Sequence, residues 1–247
     1  MKILFSPSET KFPGGYKQTL CANNFSFSTL YNYTKEAIDT YEAYIQNASY
    51  EQLCQLFGTK KADVVKYYSQ SLYEKPLMKA IERYDGVAYD YLNYKTLNLT
   101  QQNYLDDNVI IFSNLFGPIF AKTPIPEYKL KQGEKLGSLA LEKFYNEHFT
   151  QALDTLLHDE EIIDLRAGFY EKFYKITQPY ITMKFIKQGK VVSHWAKAYR
   201  GIILRLLAQN SIQTIDELMN MQIENLSIKE IKKQKNKTEI VYDILAS

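Results

Sequence analysis

Apolar positions along this chain follow two periods. At residues 2–5 (KILF), 108–112 (NVIIF) and 162–165 (IIDL) they form short continuous runs, the pattern of strands covered on both faces. Residues 238–245 (TEIVYDIL) read as a fourth strand. Elsewhere the spacing changes to three and four. Tyr33, Ala37, Ile38, Tyr41, Tyr44 and Ile45 make a helical stripe over residues 32–47. Residues 50–57 and 60–72 predict two more helices on either side of Gly58, with Ser49 as N-cap of the first. Further helices are predicted at 77–83 after Pro76, at 139–157, at 195–208 and at 215–221. Residues 180–186 and 190–194 flank Lys187-Gln188-Gly189 as a β-hairpin. Residues 121–137, rich in Pro, Lys and Gly, read as a long irregular crossing of the kind that carries function. Residues 224–236 are charged and weakly patterned, and they run into Lys232-Lys233-Gln234-Lys235-Asn236-Lys237. Strands alternating with helices, plus one hairpin, predict an α/β (mixed α+β) fold: one domain over residues 1–247, a central mixed β-sheet flanked by helices.

Composition narrows the partners. The formal charge is +2 in 247 residues, so nucleic-acid binding would need a local basic face. Tyrosine is frequent, at 21 residues, and its apolar ring with a polar tip suits wet clefts and stacking surfaces. Cys21 and Cys54 are far apart and outside any Cys-x-x-Cys pattern. That argues against a disulfide scaffold or a cysteine zinc site and fits a reducing cytoplasm. No apolar leader and no run of about 18 apolar residues is seen, so a cytoplasmic chain with no membrane attachment is expected. His148, His158 and His194 are dispersed, and no metal triad is expected. Neither Gly-x-Gly-x-x-Gly, nor a P-loop, nor a Gly-x-Ser-x-Gly elbow occurs, and no cofactor is expected.

The chemistry gathers behind strands. Three of them end in polar loops, at residues 6–11, 113–117 and 164–168. If those strands are parallel neighbours, the loops converge at one sheet edge, the usual ligand position in an open α/β sheet. Ser6, Ser8, Glu9, Lys11, Asn114, Asp164 and Arg166 would then meet, with Asp164 paired to Arg166 or Lys11. The 6–11 loop also fits an ordinary capped turn. Lys197 and Arg200, three apart, share one face of the 195–208 helix. His194 precedes that helix and is placed as a donor at its start. Gly201 within it either admits a neighbouring backbone, directing Arg200 into a cleft, or is a packing accommodation on a solvated basic face.

These segments together resemble the YaaA family of bacterial peroxide-stress proteins. The resemblance is carried by FSPSET (5–10), YDGVAY (84–89), IFSNLFGPI (111–119), EYKLKQG (127–133), IIDLRAGFY (162–170) and HWAKAYRGIILRLLAQN (194–210). It implies DNA binding through a positively charged cleft, a helix-hairpin-helix element, and a role in limiting free iron and hence Fenton damage to DNA. The hairpin would lie within residues 50–72, at LCQLFGTKKADVV (53–65), offering backbone N–H groups, Lys60 and Lys61 to phosphate. A plain αα-corner is the other reading of that stretch. Leu56 stands where such hairpins usually carry their first glycine, and Glu9 stands where some members carry lysine. Lys129 and Lys131 replace an arginine and an acid, giving point charges in place of a fork at Lys129.

The resulting expectation is a monomer binding DNA with little sequence preference. Lys11, Lys60, Lys61, Lys129, Lys131, Lys197 and Arg200 would contact phosphates, and Tyr89 and Tyr128 would stack on unpaired bases. The alternative is an enzyme acting on a nucleotide or nucleobase. Glu9 or Asp164 would then accept a proton and Arg166 or Lys197 would clamp the anion. Direct iron ligation, which would fall mostly to carboxylates, ranks last.

Overall fold

A computed structural model describes residues 1–17, 20–25 and 27–245, without the side chains of residues 191, 193 and 194; the role expected of His194 therefore falls outside the described groups. Seven strands form one sheet in the order Leu226–Gln234, Lys237–Ile244, Tyr180–Lys187, Ile162–Asp164, Lys2–Phe5, Val109–Ser113, Gly117–Phe120, and Lys190–Val191 pairs with Tyr180–Lys187. The five inner strands are mutually parallel and the two outer ones antiparallel. Apolar runs without alternation sit in the middle because helices cover both faces there. Register assigns the faces. Asp164, Leu4 and Ile110 share one, with Ile163, Ile3 and Val109 on the other. Phe112 faces Tyr174 on the side of the Leu141–Leu157 helix, to which the Tyr174 hydroxyl donates through Asp154. Phe5 meets Tyr89 edge-on and Phe185 stacks on Tyr199, on the side of the Ser193–Gln209 helix.

Most predicted elements stand within a few residues of their places. Ser49 caps Tyr50–Phe57 as expected, its Oγ accepting the Gln52 N–H at 3.3 Å, and Gly58 closes the helix in the left-handed region at φ +63°. After Gly58-Thr59-Lys60-Lys61 the chain re-enters a helix at Ala62–Tyr68. Three readings need correction. The helix expected at 77–83 begins as a strand, Leu77–Lys79, paired with Pro124–Pro126, and only Ala80–Arg83 is helical. The 190–194 arm of the hairpin shrinks to Lys190–Val191, because the helix behind it starts at Ser193. The weakly patterned 224–236 segment is the strand Leu226–Gln234; as an edge with Ser227–Gln234 exposed, it never needed an apolar face.

Arg83 ties these pieces together from the interior. It is fully buried, and its guanidinium donates to the carbonyls of Phe12, Gly14, Pro76 and Ile125. That fixes the segment following the first strand's loop.

Candidate functional site

The first strand, the Val109–Ser113 strand and the Ile162–Asp164 strand are adjacent and parallel, so their trailing loops do open at one sheet edge. There the loops after the first strand and the Ile162–Asp164 strand border a cleft of about 410 Å³ lined by Ser6 to Thr10, Gly86 to Tyr89, Gln132, Leu165, Ala167, Tyr170, Lys197 and Arg200, whereas the 113–117 loop is buried and lines none of it. The loop at Ser6 is not an ordinary turn. The Ser6 Oγ accepts the Ala167 N–H at 2.8 Å, and its carbonyl accepts the Tyr89 hydroxyl at 2.8 Å. Glu9 Oε1 accepts the Gln132 N–H at 3.2 Å. Three distant segments are thereby held to one rim.

Two glycines shape the opposite wall. Gly86, at φ +138°, starts the Val87–Leu92 helix, and a Cβ there would lie 2.7 Å from the Ser8 Oγ. A Cβ on Gly201 would lie 2.0 Å from the Ala88 carbonyl oxygen. Gly201 therefore admits a neighbouring backbone, and Arg200 faces the cleft. Arg200 is largely buried yet makes no hydrogen bond or ion pair among the described residues. Burial lowers its pKa, offset in part by the charges of Asp164 and Glu171, and a guanidinium in that setting stays charged. Lys197 stands exposed beside it.

Of the expected site residues, Ser6, Ser8, Glu9, Tyr89, Lys197 and Arg200 line this cleft. The others lie elsewhere. Asp164 and Arg166 form a closed bidentate pair at 2.8 and 2.9 Å. The Arg166 Nη1 donates to the carbonyls of Tyr170 and Tyr174, and its guanidinium carbon sits 4.5 Å from the Phe112 ring centroid. Alternation along the strand is the reason: 164 and 166 point to the Phe112 side, while Leu165 and Ala167 face the cleft. Tyr128 has no exposed surface and cannot stack on a base. Its hydroxyl donates to Asn114 Oδ1 at 2.7 Å, and the Asn114 amide donates to the Leu130 carbonyl at 2.7 Å, so this pair braces the wall from within. Lys129 lies behind the cleft with its Nζ 5.7 Å from the Tyr68 ring. The Gly86–Ala88 wall and Gln132 are not among the expected site residues; their signals in the sequence are the Asp85-Gly86 turn and the YDGVAY and EYKLKQG segments.

Lys60 and Lys131 line a second depression of about 660 Å³ with Tyr50, Cys54, Gly58 and Thr59, and Lys61 is exposed on the same turn. The Lys131 stem packs over Gly58, where a Cβ would approach its Cδ to 3.0 Å, and its N–H donates to the Leu56 carbonyl at 2.8 Å. Lys131 borders this groove and Gln132 borders the cleft, so the two depressions share a wall.

The model of the peroxide stress protein YaaA matches residues 1–232. The chain belongs to the YaaA family. An uncharacterized protein of Campylobacter jejuni is 48% identical over 99% of this chain and all of its own length. A UPF0246 protein of Corynebacterium glutamicum is 31% identical over 98% of this chain and all of its own length. One from Malacoplasma penetrans is 26% identical over 94% and 91%. Among the described residues no helix is long and apolar enough to cross a membrane.

Behind the cleft this YaaA family member buries two lysines. Lys11 Nζ lies 3.9 Å from the Tyr128 ring centroid and donates to the Glu9 carbonyl at 3.2 Å. Burial, with help from Lys129, brings its pKa down to about 7. Lys75, between the rings of Tyr67 and Tyr68, is brought down to about 8, again chiefly by burial. Tyrosines shift the other way, and burial raises Tyr67 and Tyr84 to about 12. Between pH 7 and the ordinary lysine value near 10.5 the unfolded chain holds more lysine protons than the folded one, so stability rises with pH there. Above pH 10 the unfolded tyrosines ionise first, and stability falls again. Urea unfolding should therefore show a maximum near pH 9 to 10. The rise below it should be on the order of 1 kcal/mol per pH unit and shallower in Lys11→Met. Stability that falls steadily from pH 7 to 9 would contradict the assignment.

Proposed function

We propose that this protein is a DNA-binding member of the peroxide-stress family. The cleft receives one nucleotide of an unpaired or distorted segment, and the flanking backbone crosses Lys131, Lys60 and Lys61. The observation that carries this reading is Arg200, a mostly buried guanidinium without a protein partner among the described residues, facing a cleft it shares with Lys197. A cation held in that state is prepared for an anion from outside, and a planar fork matches phosphate. The size of the cleft suits a nucleotide, and Tyr89 and Tyr170 supply ring surface in it. In the cell, such binding would restrict iron-dependent oxidative damage to DNA, the role the family resemblance implies, with the protein acting as a cytoplasmic monomer.

The test is fluorescence anisotropy on a duplex with a central unpaired bubble. Affinity should fall steeply between 50 and 200 mM salt with little sequence preference. Arg200→Ala should weaken binding about ten-fold or more, roughly 1.4 kcal/mol, with the fold intact. Flat salt dependence, or an Arg200→Ala protein that binds like wild type, would end this reading.

Glu9 favours a second reading. A pure phosphate clamp has no use for a carboxylate beside Lys197 and Arg200, whereas an enzyme acting on a nucleotide could use Glu9 as a proton acceptor. Nucleotide co-purifying with the wild type and converted on incubation, but unconverted with Glu9→Gln, would select it.

A further inference from the structure

The lysine-rich segment before the last strand takes no part in the cleft. Residues 226–237 hold five lysines and one glutamate in a chain whose total is +2, so the rest of the molecule is net negative. They form the outer strand and turn of an edge ribbon, Leu226–Gln234 with Lys237–Ile244, whose inner strand is paired in turn with Tyr180–Lys187 in the main sheet. Among the described residues the outer strand has no other neighbour, and Ser227 to Gln234 are exposed on both of its faces. Lys232 pairs with Glu230 at 3.1 Å and Lys237 with Glu239 at 3.5 Å. Lys229, Lys233 and Lys235 have no ion pair among the described residues.

Edge lysines often serve only to prevent strand addition. Here that task is already met, because the register breaks between Ile228 and Glu230 and the bulge spoils the ladder a new strand would need. The same break disfavours an acidic peptide adding as a strand, and a second copy would set lysine against lysine. Lys235 lies beyond the ladder altogether. It occupies the tip at φ +49°, where glycine or asparagine would sit with less strain. A sheet edge with unpaired lysines along its outer strand and at its tip matches a polyanion lying across it by charge.

We infer that this ribbon is a second docking surface for the phosphate backbone of DNA, separate from the cleft. The inference rests on the proposed DNA binding, and it adds Lys229, Lys233 and Lys235 as backbone contacts that position the duplex without reading sequence.

The experiment measures how affinity for the bubbled duplex depends on salt. Each lysine neutralised should lower the slope of log K against log salt by about 0.9. The K229Q/K233Q/K235N protein should therefore show a slope smaller by about 2 to 3. Glu230→Gln frees Lys232 and should steepen the slope by about 0.9, a gain that misfolding cannot imitate. Slopes equal to wild type in both proteins overturn the inference, and aggregation of the triple variant with an unchanged Glu230→Gln slope assigns the lysines to edge protection alone. If Arg200→Ala abolishes binding while the ribbon variants keep the wild-type slope, the cleft stands and the ribbon falls. If the ribbon variants shift the slope while Arg200→Ala is silent, the cleft falls and the ribbon stands. A wild-type protein that binds no DNA at low salt removes both.

Discussion

Gly201→Ala should destabilise the protein by about 3 kcal/mol or more, at or beyond the upper end of ordinary overpacking. Two effects oppose one another. Alanine is favoured over glycine inside a helix by about 1 kcal/mol. Against that, the new methyl would sit 2.0 Å from the Ala88 carbonyl oxygen and 3.1 Å from its Cα, both backbone atoms that cannot rotate aside. The clash wins, because relief requires the Ser193–Gln209 and Val87–Leu92 helices to part. Such a loss corresponds to a fall in Tm of about 6 to 12 °C for a chain of this size. It should also open the cleft, since Arg200 stands on one helix and Ala88 on the other. Thermal melts beside DNA titrations would show both effects; an alanine variant melting at or above wild type would refute the close approach.

Asp164→Ala carries the second large effect, a loss of about 3 to 5 kcal/mol. The substitution leaves the Arg166 guanidinium buried, its side chain 1% exposed, without its one ion-pair partner among the described residues. Replacing both partners by apolar residues, as in D164L/R166M, should recover most of the loss, because no uncompensated charge then remains. The folded fraction of Asp164→Ala should bind DNA like wild type, since Leu165 and Ala167, not 164 or 166, border the cleft. Chemical denaturation of the single and double variants, with anisotropy at low temperature, tests both halves. A stable Asp164→Ala that has lost binding would return Asp164 to the site.

The same pair shows where sequence reading reaches its limit. The run Ile162–Asp164 is buried on both faces, so nothing in its pattern says which face meets the cleft. Asp164 and Arg166 were expected there because they follow a strand, and the parity of the register turned them away. Tyr128 and Asn114 failed for a related reason. A tyrosine suits a stacking surface or a satisfied interior hydroxyl equally well, and the Tyr84–Tyr128–Ser113 contacts that decide between them come from three separate segments. The outer strand was missed because exposure on both faces erases the period that would reveal it.

The sequence by itself determined the buried strands, the polar residues behind them, the capped helix at Ser49 and the oddity of a glycine next to Arg200. Each is local: apolar runs, capping residues and turn formers act over a few positions, where backbone sterics and solvation dominate. Only the tertiary structure decided that Ser6, Glu9, Lys197 and Arg200 share a cleft while Lys11, Asn114, Tyr128, Asp164 and Arg166 brace or border it from within. That division depends on strand order and register, which are set by the packing of segments far apart in sequence, such as Ser6 against Ala167, 161 residues on. No short-range propensity carries that information.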